Sequence, residues 1–455
     1  MTRERMSGAD QAWLRMDAPE NRLVIVGVWI FDGPLDREAL ERRIRERLLR
    51  HARFRQRVVE EPSGHFWVDD DGFSLDHHLV MHRWRGGPEP RRLRALIARL
   101  AIEPLDPARP LWRFDLVGDD DGPRALIARI HHCIADGIAL VGVTLSLADG
   151  WQVPGAMPAS ATDPRHREDQ AHGVGALIPP LTGGAMRAVH RAGRALGTTF
   201  SASLAAASDE SARQFLVDAG LRVISDALKI ALMADDSPTP LKGRPRGRKA
   251  VAWNDPIPLD EVKAVCKVLG VSVNDVLLSC VAGAIHHYLE SLGHDTAGEE
   301  IRVMVPVNLR PPEAEPELGN HFGLVPLVLP VGLANPVERL FEVCRRMGDL
   351  KDGYQGMLAF ALLSAMGHVP APAQRVVLEY LANKGTAVMT NVPGPTQALR
   401  LLGRRVDQAM FWVPQSGTIG LGVSVFSYAG GVQFGVIADT AICPRPQAIV
   451  DRFAP

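Results

Sequence analysis

Cysteine is scarce in this 455-residue chain, which has only five of them. They lie far apart, at positions 133, 266, 280, 344 and 443. An odd number of widely spaced cysteines argues against a disulfide scaffold or a zinc ribbon and is typical of a reducing compartment. The first fourteen residues also lack the apolar run of a signal peptide, so we expect a cytoplasmic protein.

Long apolar runs and an excess of either charge are missing as well. The most apolar stretch, residues 322–334, is interrupted by Pro326 and Pro330 and is shorter than the roughly 20 residues that cross a bilayer. The 51 lysines and arginines nearly balance the 52 aspartates and glutamates, so bulk charge does not indicate a nucleic-acid partner. Hydrophobic residues make up 46% of the chain, which is ample for sizeable cores.

Several common catalytic and metal-binding motifs are absent. The chain has no G-x-S-x-G, no Walker A loop, no G-x-G-x-x-G, no H-E-x-x-H and no C-x-x-C. The histidines at 77, 78 and 82 lack a helical pattern and have one close acidic neighbour, Asp76, so we interpret them as part of a loop or strand end. We therefore expect no metal site.

Hydrophobic periodicity predicts two α/β lobes joined by a long linker. The N-terminal lobe, 1–155, has predicted strands at 21–31, 65–68, 111–117 and 124–130 and helices at 35–57, 89–100 and 138–148, with strand 65–68 entering a hairpin at the acidic turn 69–72. The linker, 156–248, has candidate helices at 185–196 and 212–233; the first could pack on the protein or lie on a membrane. The C-terminal lobe, 249–455, has predicted helices at 259–269 and 272–292 and strands at 301–307, 324–329, 386–392, 419–426 and 432–438.

One constellation indicates chemistry. Strand 124–130 runs directly into the segment HHCIADG at 131–137, after which a helix begins. A histidine at a strand end can project into a cleft, and a neutral imidazole, with an unperturbed pKa of about 6.5, is suited to deprotonate a hydroxyl. Asp136 could orient the histidine or could cap the following helix. Cys133 is interpreted as a small buried filler rather than a nucleophile.

The pattern H-H-x-x-x-D-G resembles the signature of acyltransferases with a chloramphenicol-acetyltransferase-like fold, a group that includes condensation domains of nonribosomal peptide synthetases. Within that group the chain is similar to the bacterial wax ester synthase/diacylglycerol acyltransferases. The further matching segments are MSGAD at 6–10, PLW at 110–112, PLKG at 240–243, VNDV at 273–276, NLR at 308–310, GN at 319–320 and TNVPGP at 390–395. They follow one another along essentially the whole chain. The resemblance implies an α/β fold of two lobes, each a mixed sheet with flanking helices, and an active-site tunnel between them.

The resemblance also implies roles for individual residues. His132 would be the general base that takes the proton from a fatty alcohol or from diacylglycerol, so that the oxygen attacks an acyl-CoA thioester without a covalent acyl-enzyme. His131 and Asp136 would support its orientation, and Gly137 would permit the turn. Further candidates for substrate-binding or structural roles are Pro110, Leu111, Trp112, Asn274, Asp275 and Asn391. For Asn274 and Asp275 a helix cap is an equal alternative.

The expected ligands follow from the same resemblance. Acyl-CoA would be the co-substrate, with no cofactor, and its acyl chain would need an apolar channel. Its phosphates would need a basic patch, for which the candidates are Lys242, Arg244, Arg246 and Arg248, with Lys249 beside them. The arginine-rich segment 35–57 is a second candidate, or else a solvated face. We expect peripheral association with the inner membrane or lipid inclusions, no nucleic-acid partner, and a monomer or homodimer.

Two alternatives remain open at the level of sequence. A condensation-type enzyme would take its acyl group from a carrier protein, although the chain has no carrier domain with a Gly-x-Asp-Ser or Gly-x-His-Ser motif. A lipid-droplet-binding protein without catalytic activity would not need an intact histidine motif.

Overall fold

The computed structural model describes residues 3–85, 88–150, 232–309, 318–351, 355–367, 369 and 371–453. The linker helices expected at 185–196 and 212–233 fall outside these ranges, apart from the last two residues of the second.

The N-terminal part alternates short strands and helices. Its elements are β1 (Arg3–Arg5), α1 (Gly8–Arg15), β2 (Val24–Phe31), α2 (Arg37–Arg47), β3 (Gln56–Glu61), β4 (Gly64–Asp69), β5 (Leu79–Arg83), α3 (Pro90–Leu100), β6 (Trp112–Asp119), β7 (Gly122–His131) and α4 (Gly137–Leu145). The strands predicted at 21–31, 111–117 and 124–130 and the helices predicted at 89–100 and 138–148 are thus confirmed to within a few residues.

The C-terminal part begins where the linker ends. Its elements are β8 (Lys249–Trp253), β9 (Ile257–Pro258), α5 (Leu259–Leu269), α6 (Val273–Ser291), β10 (Ile301–Asn308), β11 (Phe322–Leu329), α7 (Pro336–Lys351), α8 (Gln355–Met366), α9 (Ala371–Asn383), β12 (Ala387–Pro393), β13 (Arg400–Leu401), β14 (Arg404–Trp412), β15 (Leu421–Tyr428), β16 (Gly431–Asp439) and α10 (Gln447–Val450). Every helix and strand predicted in this range is confirmed, whereas α7, α8, α9 and β14 were not predicted.

The strands form three sheets. A six-stranded sheet has the order β13-β14-β2-β7-β6-β5, and a seven-stranded sheet has the order β11-β10-β12-β15-β16-β8, with β9 pairing to β16. Both are mixed, since β5 runs parallel to β6 and β12 runs parallel to β10 and to β15. A small third sheet, β1-β4-β3, lies in the N-terminal part.

Strand β14 links the two parts of the chain. It lies within the range predicted as the C-terminal lobe, yet it pairs antiparallel with β2, with Trp412 opposite Val26. The C-terminal segment therefore contributes two strands, β13 and β14, to the six-stranded N-terminal sheet. Strand pairing over such a distance leaves no local signal, so a division at residue 249 cannot represent it.

Two predictions in the N-terminal part are wrong in detail. The helix predicted over 35–57 ends at Arg47, and the chain then enters β3 through a short 3-10 turn at Ala52–Phe54. The hairpin is not at 69–72, because β4 pairs with β3 across the turn that precedes Gly64. Gly64 has φ of +126°, a conformation that other residues rarely adopt, which explains why the chain reverses there.

Helix α6 is the most deeply buried helix of the C-terminal part. Fourteen of its nineteen residues are buried, and a capping box between Ser272 and Asp275 starts it. Among the described residues, no single helix has the length and apolar character to cross a membrane; α5 and α6 meet those two criteria only when taken together, across a bend of 103°.

Candidate active site

His132 lies where the central strand β7 ends and the turn to α4 begins. The backbone N–H of His131 donates to the carbonyl of Leu111 at 2.9 Å, and that of His132 donates to the carbonyl of Leu23 at 2.7 Å. Because chain segments on both sides hold this backbone, the position of the His132 side chain is set by the sheet itself.

The ring of His132 is enclosed by aromatic side chains from both parts of the protein. Trp13 of α1 stacks on it, with ring centroids 4.3 Å apart and planes 15° apart, and Phe322 of β11 lies tilted at 5.4 Å. Nδ1 lies 3.1 Å from Oδ1 of Asn320. His132 is 7% exposed, and this burial disfavours the charged ring and lowers the pKa of His132 to about 4. The ring is therefore neutral at pH 7, as a general base must be.

His131 takes part in a separate set of contacts. Its Nδ1 accepts from the backbone N–H of Cys133 at 3.1 Å, and its Nε2 lies 3.7 Å from Oδ1 of Asp17. Asp17 also accepts from Arg22 at 2.6 Å and from the Leu23 N–H at 2.8 Å. Burial alone would raise the pKa of Asp17, but the hydrogen bonds outweigh it and lower that pKa. His131 thus holds the end of β7 against the segment that precedes β2.

Asp136 and Gly137 begin α4. Oδ1 of Asp136 accepts from the Ala139 N–H at 3.0 Å, a helix N-cap, and Oδ2 accepts from the His321 N–H at 3.2 Å. Gly137 has no positive φ, so the turn does not depend on glycine. A Cβ at Gly137 would meet no atom within 4 Å. Because glycine has no side chain, the space beside His132 stays open.

That open space is bordered by two neighbouring apolar cavities. The histidine cavity is lined by His132, Asp136, Gly137, Phe322, Asn391 and Phe411, among others. It shares Ile25, Gly137 and Phe411 with the inner cavity, whose lining includes Trp29, Leu126, Leu140, Met410 and Phe426. Apolar space therefore lies beside His132, and a second cavity adjoins it between the six-stranded sheet and α4.

A third space lies on the Trp13 side of the ring. The methionine pocket is lined by Trp13, Met16, Met233, Met304 and Met366, together with leucines of α8 and α9. Trp13 stacks on His132 and on Phe322, which itself lines the histidine cavity. The His132 ring thus lies between two apolar spaces, the histidine cavity beside it and the methionine pocket beyond Trp13.

Asn391 brings the C-terminal sheet to the histidine cavity. It lies on β12, and its Nδ2 donates to Oδ1 of Asn274 at 3.0 Å. Nδ2 of Asn274 is buried and has no hydrogen-bond partner among the described residues. Asp275 instead caps α6, since its Oδ2 lies 2.6 Å from the Ser272 hydroxyl. Asn391 lines the cavity and Asn274 is hydrogen-bonded to it, whereas Asp275 holds the helix start.

Comparison with known proteins identifies the family. The wax ester synthase/diacylglycerol acyltransferase catalytic domain matches residues 6–277, and the WS/DGAT C-terminal domain matches residues 318–455. The chain belongs to the wax ester synthase/diacylglycerol acyltransferase family. It is accordingly an acyltransferase.

Individual relatives agree with this assignment. A probable diacylglycerol O-acyltransferase of Mycobacterium tuberculosis H37Rv is 29% identical over 430 residues, covering 92% of this chain and 86% of that protein. A second, putative diacylglycerol O-acyltransferase of that strain is 30% identical over 349 residues, covering 73% and 67%.

Solved structures confirm the fold. The wax ester synthase/diacylglycerol acyltransferase of Marinobacter aquaeolei VT8 superposes with a TM-score of 0.65 at 19% identity, covering 99% of this chain and 97% of that one. The first condensation domain of the calcium-dependent antibiotic synthetase gives 0.60 at 16% identity, covering 99% and 94%. The predicted two-lobed α/β architecture is therefore correct.

In this acyltransferase, the PLW segment supports the site from outside the cavities. The Leu111 carbonyl accepts from the His131 N–H, as described above. Trp112 is 1% exposed, donates from Nε1 to the Phe54 carbonyl at 3.0 Å and stacks on His78 at 4.3 Å. Pro110 is buried next to them. None of the three lines the histidine cavity, the inner cavity or the methionine pocket.

The basic loop of the acyltransferase is held mainly through its backbone. Nζ of Lys242 donates to the carbonyls of Asn383 and Gly385 at 3.0 and 2.8 Å, which is a structural clamp. Oδ2 of Asp439 accepts from the backbone N–H groups of Arg246, Gly247 and Arg248 at 2.9–3.3 Å. The side chains of Arg244, Arg246 and Arg248 remain exposed. Arg248 and Lys249 line an open groove against α3, with Arg94 and Arg99.

One group of described side chains has the composition of a metal site. His286, His287 and Glu290 near the end of α6 place their ligand atoms within 4.8 Å of one another. Asn274 and the histidine cavity lie at the opposite end of this 19-residue helix. The group is therefore remote from His132.

The sequence reasoning missed Trp13 and Asn320, which contact the ring of His132, and Asp10, which contacts Asn320. None of the three was assigned a role, although Asp10 and Asn320 lie in the segments MSGAD and GN that carried the family resemblance. Asn320 contacts both the ring and the backbone of His132, and it also contacts Asp10. The motif match was the available signal, but only the fold brings residues 10, 132 and 320 together.

Proposed function

We propose that this acyltransferase transfers a long-chain acyl group from acyl-CoA to the hydroxyl of a fatty alcohol or of diacylglycerol, with His132 as the general base. The observation that carries the proposal is a buried, neutral histidine between two spaces lined mainly by apolar side chains. Membership of the family supports the substrate classes.

The chemistry requires one proton to move and one bond to be exchanged. His132 accepts the proton of the acceptor hydroxyl as its oxygen attacks the thioester carbonyl. The tetrahedral intermediate then expels the CoA thiolate, which takes the proton back from His132, leaving an ester, free CoA and a neutral histidine. A neutral imidazole and a thiolate leaving group are chemically sufficient, so we propose that no cofactor is needed.

Direct transfer is favoured over a covalent acyl-enzyme because the adjacent cysteine is a poor nucleophile. Cys133 is fully buried, and that burial raises the pKa of its thiol well above the ordinary value. The thiolate is the reactive form, so this residue stays inert at neutral pH.

Stabilisation of the tetrahedral oxyanion is assigned to the asparagine pair. Asn391 lines the histidine cavity, and its partner Asn274 has an amide nitrogen with hydrogens not yet used by any described residue. A buried donor without a partner is unfavourable in the resting protein. It can, however, stabilise a negative charge that develops during the reaction.

For the CoA phosphates we propose the groove between α3 and the basic loop. Arg248 lines it together with Arg94 and Arg99, which adds two arginines to the candidates from sequence. Nζ of Lys249, by contrast, donates to Asn21 and Gln415. Arg244 and Arg246 are exposed nearby in the chain and could join them, whereas Lys242 is occupied with backbone carbonyls. Cationic side chains around an open groove attract phosphate.

We further propose a cytoplasmic enzyme that acts at the surface of the inner membrane or of lipid inclusions, since its acceptors dissolve there.

The test is a comparison of His132→Ala with wild type. Purified protein is given palmitoyl-CoA and hexadecanol, and CoA release is followed with a thiol reagent. We expect a loss of turnover of about 10² to 10⁴, the usual contribution of a general base. His131→Ala is the matched control, because His131 is held by Asp17 away from the cavity, and a smaller loss is expected. Near-wild-type turnover in His132→Ala would refute the proposal.

Thin-layer chromatography of the products then identifies the acceptor. Hexadecanol and diacylglycerol are offered together, and palmitoyl-CoA is compared with a palmitoyl-carrier protein as donor. Formation of ester only from the carrier protein would assign the condensation-type reaction instead.

A further inference from the structure

Asn320 is a buried amide with three hydrogen-bonding contacts around the catalytic histidine. It is 3% exposed and lies immediately before β11. Its Nδ2 donates to the backbone carbonyl of His132 at 2.9 Å and to Oδ1 of Asp10 at 2.8 Å. Its Oδ1 lies 3.1 Å from Nδ1 of the His132 ring. One side chain thus joins the backbone and the ring of His132 to α1.

The orientation of this amide follows from its partners. A backbone carbonyl can only accept, so the NH₂ end of Asn320 must face the His132 carbonyl, which leaves Oδ1 facing Nδ1 of the ring. An amide oxygen also only accepts, so Nδ1 must carry the hydrogen. The lone pair of the neutral ring is therefore on Nε2.

Asp10 secures the amide from the other side. Its side chain is 5% exposed, and its backbone N–H is fixed by the Ser7 hydroxyl at the start of α1. Burial raises the pKa of Asp10, while its hydrogen bonds to Asn320 and Ser7 act in the opposite direction. Oδ1 of Asp10 accepts from the NH₂ end of Asn320, which agrees with the orientation set by the His132 carbonyl. Arg53 is the cationic side chain that influences the pKa of Asp10. Asp136 and His131 are the ionisable side chains that influence the pKa of His132. Both oxygens of Asp136 already accept from backbone N–H groups.

We propose that Asn320 and Asp10 are positioning residues that hold His132 in its Nδ1–H tautomer and in a fixed ring orientation, so that Nε2 is the atom that accepts the substrate proton. The consequence for catalysis rests on the proposed function, but the tautomer can be measured without any substrate.

The test combines NMR and kinetics on the full chain. Protein labelled with ¹⁵N-histidine is compared with His132→Ala to assign the His132 ring signals. In wild type at pH 7, Nδ1 should have the chemical shift of a protonated ring nitrogen and Nε2 that of an unprotonated one. In Asn320→Leu, which is close in size but has no polar atoms, we expect both tautomers to be populated. We also expect kcat to fall about tenfold to a hundredfold, as for a misplaced catalytic group, with an unchanged KM for palmitoyl-CoA.

The Asp10 variants separate positioning from folding. Asp10→Leu removes the acceptor and should reproduce the Asn320→Leu result in weaker form, while Asp10→Asn retains an acceptor oxygen and should restore a single tautomer. Gln374→Leu is the matched control. Gln374 is 2% exposed and donates to the carbonyl of Ala12, which lies on α1 like Asp10. The Gln374→Leu variant should have the same His132 tautomer and the same kcat as wild type. If Asn320→Leu does not fold, Asn320→Ser is used in the same comparison.

The outcomes are distinct. A protonated Nε2 in wild type, or a folded Asn320→Leu variant with one Nδ1–H tautomer and wild-type kcat, would overturn the proposal. If the spectra are as expected but His132→Ala retains turnover, the positioning contacts stand and the proposed function fails.

Discussion

His132 is neutral because of burial rather than because of a cationic neighbour. Removal from water lowers its pKa, and the carboxylate of Asp136 and the hydrogen bond to Asn320 oppose that change only in part. A histidine with a low pKa is a weak base, but near neutral pH its ring is not protonated and can accept a proton. In the mechanism that we propose, the site therefore has a full population of neutral histidine at the expense of intrinsic basicity.

The pH profile of the acyltransferase should reflect this. A base with its pKa near 4 stays unprotonated until the pH falls that far, so kcat/KM should be constant from pH 7 to about 5 and half-maximal near pH 4. The measurement is the initial rate with palmitoyl-CoA between pH 3.5 and 8, with return to pH 7 as the control for unfolding. An acid limb near the ordinary value of 6.5 would contradict the burial that the structure describes.

The histidine motif could be found from sequence because its parts are contiguous. The strand, the two histidines and the helix cap lie within about twenty residues, so local pattern was enough to select His132 and to offer a cap role for Asp136. The contact between Asn320 and His132 spans 188 positions, and the contact between Asn320 and Asp10 spans 310. No periodicity encodes such contacts, and only the packing of β11 and α1 on the strand end creates them.

Among the helices, α4 depends on its first residues. Asp136 accepts from the Ala139 N–H and satisfies one of the free donors of the first turn. Asp136→Ala should therefore lower the free energy of unfolding by about 0.5–2 kcal/mol, whereas Asp136→Ser, which keeps a capping oxygen, should recover much of that loss. Urea unfolding followed by circular dichroism gives both values. Equal stability of the Ala and Ser variants would show that the cap contributes nothing.

Helices and strands were predictable where each carried its own local signal. The α6 start was visible as Ser272 three residues before Asp275, and the β15–β16 hairpin as Gly430-Gly431. Helix α7 also had such a signal, since Asn335 caps it through the Val337 N–H and Pro336 occupies its first turn, but it was overlooked. Helix α8 is apolar throughout and has no amphipathic stripe to detect.

The molecule as a whole is joined across its two parts by pairings that sequence reasoning could not supply. Strand β14 lies beside β2, although the paired residues are 375 to 386 positions apart in the sequence. A single-sequence pattern predicts that a strand exists but not which neighbour it chooses. The expected division at residue 249 therefore described the order of elements along the chain and not the sheets into which they assemble.

Lys249 lies at this junction and provides a test of it. It is the first residue of β8 in the C-terminal sheet, and its Nζ donates to Oδ1 of Asn21 at 2.5 Å and to Oε1 of Gln415 at 2.7 Å. Asn21 precedes β2, and Gln415 follows β14, so one ammonium group ties three segments together. Both partners are neutral amides, and burial lowers the pKa of Lys249 to about 8.

The sign of the resulting pH dependence follows from linkage. The folded protein releases the Lys249 proton near pH 8, whereas the unfolded chain holds it until about 10.5, so the folded state binds fewer protons between these values. Raising the pH through this window should stabilise wild type relative to Lys249→Met by up to about 3 kcal/mol. Guanidinium unfolding at pH 7, 8, 9 and 10 measures the difference. Lys263→Met, at an exposed position of α5, is the control. Its free energy of unfolding should change with pH in the same way as that of wild type. If the free energy of unfolding of Lys249→Met also changes with pH as that of wild type does, the ammonium group is not buried. The junction between the two sheets would then be looser than these contacts require.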